Sequence, residues 1–264
     1  MCVTLLLLVA QSAAACERQS VTAVPTHCHH DWPKSSMLHS MPALHHSLLD
    51  PTHLGGELAA HRNHWDFDVN AGALEHMIRE VVMPHCGCFT LVTGGLRDGD
   101  LVAPFVKSCP SITVLGFEVV RKFADMNKDR FANASNVHIF NCGMGDQDRA
   151  LVPVFGESAL AGFHQSGSWA DEKVQSGTAA EVALASFVPL HGIHRVSYLT
   201  IDTEGHEAPV FVGLGLDNEH NVRRFPAFQF EVGGTWNDGR HNPRWWTLPQ
   251  AVQHLLAREV TNST

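Results

Sequence analysis

The stretch from 197 to 211, SYLTIDTEGHEAPVF, decides the fold. Val196, Tyr198, Leu199 and Ile201 have the β-branched and bulky apolar character of a buried strand. From Ala208 to Leu216 the apolar residues recur at helical spacing instead. Between the two patterns stand Asp202, Glu204, His206 and Glu207, with Gly205 to permit a sharp turn. Three carboxylates and an imidazole therefore occupy a strand-to-helix turn. In open α/β sheets that turn is where ligands bind.

The chain on either side has the same alternating texture. CFTLV (88–92) predicts a first strand, followed by the turn TGGLRDGD and the apolar LVAPFV. SITVLGFEVV predicts a second strand ending at Glu118, then a helix over RKFADMNKDRF. NVHIF predicts a third strand ending in the turn NCGMGDQD, and PAFQFEV (226–232) a fifth after that of 196–201. Strands separated by helical stretches imply a doubly wound, mainly parallel sheet. AGALEHMIREVVM (71–83) predicts a helix stopped by Pro84. The polar, Gly/Ser-rich FGESALAGFHQSGSWADEKVQSGT reads as an insertion between strands three and four, either a functional lid or disordered.

Composition narrows the partners. A formal charge of −9 over 264 residues argues against a general nucleic-acid binder, which needs clustered Lys and Arg to neutralise phosphates. A small-molecule or saccharide partner fits better, and the sequence carries no signal for an oligomeric state. Residues 1–15, MCVTLLLLVAQSAAA, read as a secretory signal peptide with Ala13 and Ala15 at the −3 and −1 positions before Cys16. The apolar stretch is too short for a stable membrane span. The sequons Asn133-Ala-Ser135 and Asn262-Ser-Thr264 agree with a luminal route. Cys86-Gly-Cys88 lacks the spacing of zinc or thioredoxin-type pairs, so no metal is assigned, and one disulfide is expected in a secreted chain. Residues 16–64 are a His- and Pro-rich extension whose clustered imidazoles leave transition-metal binding open. The folded domain is expected over 65–264.

The order of features resembles the FkbM-type methyltransferases, S-adenosylmethionine-dependent enzymes of the Rossmann-like class. TIDTEGHEAPVFVGL is close to that family's KIDVEGHE followed by an amphipathic helix. Gly95 and Gly99 have the separation of its D-x-G-x-x-x-G turn, with Thr93 in place of the usual Asp, and Leu96 and Arg97 in place of Ala-Asn. The resemblance implies a cofactor site made of Thr93, Gly95, Gly99, Glu118, Asp146 and Asp202. Glu118, ending strand two, is suited to accepting hydrogen bonds from ribose hydroxyls, though a nicotinamide dehydrogenase uses the same device. Asp146 stands where other members hold the adenine amino group, with Met144 packing nearby.

Asp202, Glu204, His206 and Glu207 form the candidate catalytic set. Methyl transfer needs alignment of the acceptor oxygen with the sulfonium, helped by a base. His206 has the near-neutral intrinsic pKa for that role, and Glu204 or Glu207 is a candidate to orient it. Glu207 also reads as a first-turn carboxylate favoured by the helix dipole. A divalent cation on Asp202, Glu204 and His206 is short of oxygen ligands. Glu231 on strand five is either a second wall of the site or an ion-pair partner.

After the fifth strand come GGTWNDGRHNPRWW and a helix, LPQAVQHLLARE. Methyltransferases of this class ordinarily add an antiparallel strand pair there. The expectation here is a fragment, or a sheet short by that hairpin with strand five at its edge. Function is expected to be O-methylation of a saccharide or small-metabolite hydroxyl. The alternatives are a non-catalytic binding or scaffold relative with a degenerate cofactor loop, and a nicotinamide-dependent oxidoreductase, which TGGLRDGD fits poorly.

Overall fold

A computed structural model describes residues 78–158, 161–163, 174–225 and 228–230. The expected signal peptide, His-rich extension, domain boundary near 65 and C-terminal helix, and the candidate Glu231, lie outside the described residues. These residues belong to two compact units, 25–84 and a larger one containing 85–264. In the first, Ile78–Val82 make one π-helical turn. The helix expected to stop at Pro84 is followed by a 3-10 stretch, Met83–Cys88, with His85 out of helical geometry. Pro84 has no N–H to continue the π-helical pattern, and the chain goes on in 3-10 form.

The larger unit is built on five parallel strands: β1 (Thr90–Gly94), β2 (Thr113–Phe117), β3 (Val137–Phe140), β7 (Tyr198–Ile201) and β8 (Phe228–Phe230). Their spatial order is β3-β2-β1-β7-β8. Every residue of β1 and β2 is buried, which is why both strands read as continuous rather than alternating apolar runs. Interleaved with them are α1 (Val102–Ser108), α2 (Arg121–Arg130), α3 (Leu184–Leu190), α4 (Glu207–Gly213) and α5 (Glu219–Arg224). The fold is therefore the α/β, Rossmann-like type with a mainly parallel sheet.

One part of the sequence reading is corrected. The segment between β3 and β7 contains a second sheet, made of β4 (Cys142–Met144), β5 (Arg149–Phe155) and β6 (Gln175–Val182) in the order β4-β6-β5. β4 lies inside the stretch expected to be only a turn, and β6 takes up the end of the expected insertion. β5 and β6 pair antiparallel, whereas β4 and β6 pair parallel. The polar outer half of β6 hid it: residues 175–178 are exposed, while Ala179–Val182 are buried. Pairing between distant segments, not local propensity, makes this strand.

Three phenylalanines join the sheet to its helical layer. Phe117, Phe140 and Phe187 have ring centroids 5.1–5.3 Å apart, with Phe187 of α3 edge-on to both strand residues. These are favourable aromatic geometries in addition to the apolar area they bury. At the start of the unit Cys86 and Cys109 form a disulfide that ties the approach to β1 to the end of α1. Among the described residues no helix is long and apolar enough to cross a membrane.

Phe187 is 2% exposed. Its replacement by Ala is expected to lower the unfolding free energy by about 3–5 kcal/mol through lost burial and a residual cavity. Urea titration of the two proteins checks this, and an unchanged midpoint would contradict the packing described.

Candidate functional site

β1 is the strand from which the order runs outward in both directions, to β2 and β3 on one side and to β7 and β8 on the other. A crevice opens beyond the carboxyl ends of β1 and β7 at this reversal, the usual ligand position in such sheets. The chain beyond each strand end continues the ladder. Asp202 donates its N–H to the Gly94 carbonyl at 3.2 Å, and Gly95 donates to the Phe117 carbonyl at 3.1 Å. Gly95 has φ of 78°. A Cβ there would fall within the Asp202 carbonyl oxygen, so both conformation and space demand glycine.

A pocket lies in this crevice, lined by residues from the ends of β1, β2 and β7. Of the residues singled out in the sequence, Gly95, Glu118, Asp202, Glu204 and His206 all line it. Met144, expected near an adenine, lines it too. Asp202 is exposed, Glu204 half-buried, and Glu118 and His206 buried.

Glu118 is held by the two loops around it. Its carboxylate accepts the Arg97 N–H at 2.9 Å and the Val120 N–H at 2.8 Å. Burial pushes its pKa above the ordinary carboxylate value; the backbone donors oppose this and the charge of Asp202 adds to it. Asp202 and Glu118 thus share one electrostatic environment across the pocket. Arg97 and Glu204 are the non-glycine residues with positive φ among those described, 48° and 54°, and both line this pocket. Strained backbone of that kind persists where surrounding contacts enforce it, and it clusters at functional sites.

Four sequence candidates sit elsewhere. Thr93 is buried between strands, where its hydroxyl receives a hydrogen bond from the Thr200 hydroxyl at 2.7 Å. It joins β1 to β7 at a paired register position. Gly99 forms the entry to α1, its carbonyl accepting from Val102 and Ala103, and a Cβ there would meet Asn127. Asp146 is ion-paired with Arg149. Glu207 is buried behind the turn. Its Oε1 accepts the Thr203 N–H, the Thr203 hydroxyl and the Gly205 N–H, each at 3.1 Å. Burial raises the Glu207 pKa, with those hydrogen bonds acting against it. Of its two expected roles, Glu207 fills that of a first-turn carboxylate that shapes the loop.

The imidazole's carboxylate partner is Glu181 of β6. His206 Nε2 lies 2.8 Å from Glu181 Oε1, and Glu181 is wholly buried. Phe163 meets the same imidazole edge-on, with centroids 5.2 Å apart, and lines the pocket. Sequence reasoning missed both. The available signal for Glu181 was a lone carboxylate inside the apolar run AAEVAL. Phe163 carried none, because only the second sheet brings it to the site. Among the described residues no group of three His, Cys, Asp or Glu side chains is placed to hold a metal ion.

Glu207→Ala leaves the turn donors without their acceptor and is expected to cost about 1–3 kcal/mol of stability. Asp202→Ala, at an exposed position, is expected to cost about 0.5 kcal/mol or less. Denaturant midpoints of the two variants test the division between shaping the loop and facing the pocket. Equal losses would refute it.

The family described as Methyltransferase FkbM domain matches residues 94–257. No curated protein and no solved structure matches the chain. The family match begins at the carboxyl end of β1, takes in β2 to β8 and the crevice residues from Gly94 onward, and covers more than half of the chain. The protein belongs to the FkbM methyltransferase family.

Proposed function

We propose that the protein is an S-adenosylmethionine-dependent O-methyltransferase acting on a hydroxyl of a saccharide or small metabolite. The observation that carries this reading is the meeting of Glu118, Asp202 and His206 around one pocket at the carboxyl edge of β1 and β7.

The chain's residues fit the cofactor. Glu118 is a buried carboxylate that accepts backbone N–H groups of Arg97 and Val120, with Val119 a further backbone donor. Every carboxylate oxygen can accept more than one hydrogen bond, so capacity remains for ribose hydroxyls. Gly94, Gly95 and Gly143 line the same pocket, and the space left by their missing side chains is taken by Met144, the Asp202 carbonyl and Phe163. When bound, S-adenosylmethionine supplies a methyl group on sulfonium sulfur, and the breaking S–C bond leaves its electron pair on sulfur.

The remaining work falls to protein side chains. His206 accepts the proton of the attacking hydroxyl, which completes the balance as the new O–C bond forms. Asp202, exposed on the lip of the pocket, offers hydrogen-bond acceptors to polar groups of either ligand. The apolar edge of Phe163 against His206 helps keep water from that side of the imidazole. A saccharide or metabolite acceptor agrees with the chain's net negative charge, which disfavours polyanions. The Cys86–Cys109 disulfide supports synthesis through the secretory route.

Calorimetric titration of the full chain with S-adenosylhomocysteine is expected to show binding, weakened roughly 10- to 100-fold in Glu118→Ala by loss of charged hydrogen bonds. Absence of binding by the wild type at millimolar ligand would overturn the enzyme reading in favour of a scaffold protein. In His206→Ala, methyl transfer to hydroxyl acceptors is expected to fall by about 10²- to 10⁴-fold with cofactor affinity retained. Unimpaired turnover would remove His206 as the base.

A further inference from the structure

We propose that Asn133 carries an N-linked glycan, added as the chain passes through the lumen of the secretory route. This rests on the reading of a secretory route and is independent of methyl transfer. The fold presents one asparagine of the loop before β3 and engages its neighbour.

The sequon Asn133-Ala134-Ser135 lies between α2, which ends at Arg130, and β3, which starts at Val137. Two backbone hydrogen bonds shape this loop into consecutive turns. The Ala134 N–H donates to the Phe131 carbonyl at 2.8 Å, and the Val137 N–H to the Ala134 carbonyl at 3.0 Å. Asn133 sits inside the first turn and is exposed, as is Ser135. The Asn133 side chain makes no hydrogen bond to a described residue. Asn136 behaves differently. Its Nδ2 donates to the Pro110 carbonyl at 2.9 Å and to that of Ile112, tying the loop to the segment after Cys109. The loop is therefore held without Asn133. A hollow open to solvent lies beside the turn, lined by Val106, Pro110, Arg130 and Phe131. A sugar on Asn133 Nδ2 meets surface there and not packed core.

The position in the sheet suits a bulky, solvated group. Asn133 precedes β3 and so stands at the amino edge of the parallel strands, whereas the pocket lies beyond the carboxyl ends of β1 and β7. Strands of four and five residues separate the two edges, roughly 15 Å at the usual rise of a strand. The crevice stays open with the glycan in place. The Cys86–Cys109 disulfide supports the same compartment independently, because disulfides persist where the surroundings are oxidising. Pro110, which Asn136 holds, follows Cys109 directly, so disulfide and sequon share one edge.

The transfer joins Asn133 Nδ2 to the anomeric carbon of an oligosaccharide carried on a lipid pyrophosphate. The anomeric C–O bond breaks with its electron pair left on the pyrophosphate, and the amide gives one proton to the transferring enzyme. The Ser135 hydroxyl completes the triplet that this enzyme recognises.

The test expresses the full chain in a secretory eukaryotic cell, with its own first residues and, separately, behind a strong secretory leader. Peptide-N-glycosidase digestion in ¹⁸O-water, followed by peptide mass spectrometry, reads each sequon by itself. Both forms are expected to show Asn133 converted to ¹⁸O-labelled Asp. Ser135→Ala is expected to lose that label and Ser135→Thr to keep it, while Asn133→Gln loses the matching part of the gel shift on digestion. Unmodified Asn133 in the leader-driven, disulfide-bonded chain overturns the proposal at the site itself, with the secretory route intact. A label in the leader-driven chain alone overturns it through the route, since the protein's own first residues then fail to deliver it to the lumen.

Discussion

The constraint on which the site depends is the passage of Gly95 beneath the carbonyl of Asp202. The α-carbon of the β1 turn and the backbone of the β7 turn come so near that no Cβ fits between them. That approach brings two loops separated by a hundred residues to one crevice, and everything at the site follows from it. Glu118 takes its Arg97 donor from the loop that Gly95 begins. Asp202, anchored through its N–H to Gly94, is held across from Glu118. The positive φ of Gly95 is a requirement of the tertiary contact and not of the turn alone.

Around that crevice three carboxylates are buried, and each is accommodated differently. Glu118 is surrounded by backbone donors from both flanking loops. Glu207 draws its donors from its own turn, so that TEGHE closes upon itself. Glu181 has Arg149 and His206 instead. The first two are raised in pKa because hydrogen bonds offset burial only in part.

Much of the fold was legible because parallel, doubly wound sheets produce a strong local signal. β2, β3 and α2 fall where apolar runs and helical spacing place them, since strands buried on both faces must be apolar throughout. β1 is Thr90–Gly94 instead of 88–92, a shift of two residues, because an apolar run does not mark which carbonyls find partners. The second sheet was not legible. β6 begins with four exposed residues, and its pairing with β5 crosses the intervening segment. Such a strand exists only through its partners.

The candidate site divides in the same way. The sequence by itself determined that acidic groups and an imidazole stand at strand ends, because a strand-to-helix turn is written in the change of period from Tyr198 to Leu216. It also indicated the family, through the residues around Asp202. Tertiary structure alone decided which of those groups share a pocket. Thr93 faces the seam between β1 and β7, Gly99 serves the entry to α1, Asp146 pairs with Arg149, and Glu207 holds its own loop. It also supplied Glu181 and Phe163 to His206. Periodicity records which face of an element is buried. Which groups meet there depends on contacts between segments far apart in the chain, and one sequence does not encode those locally.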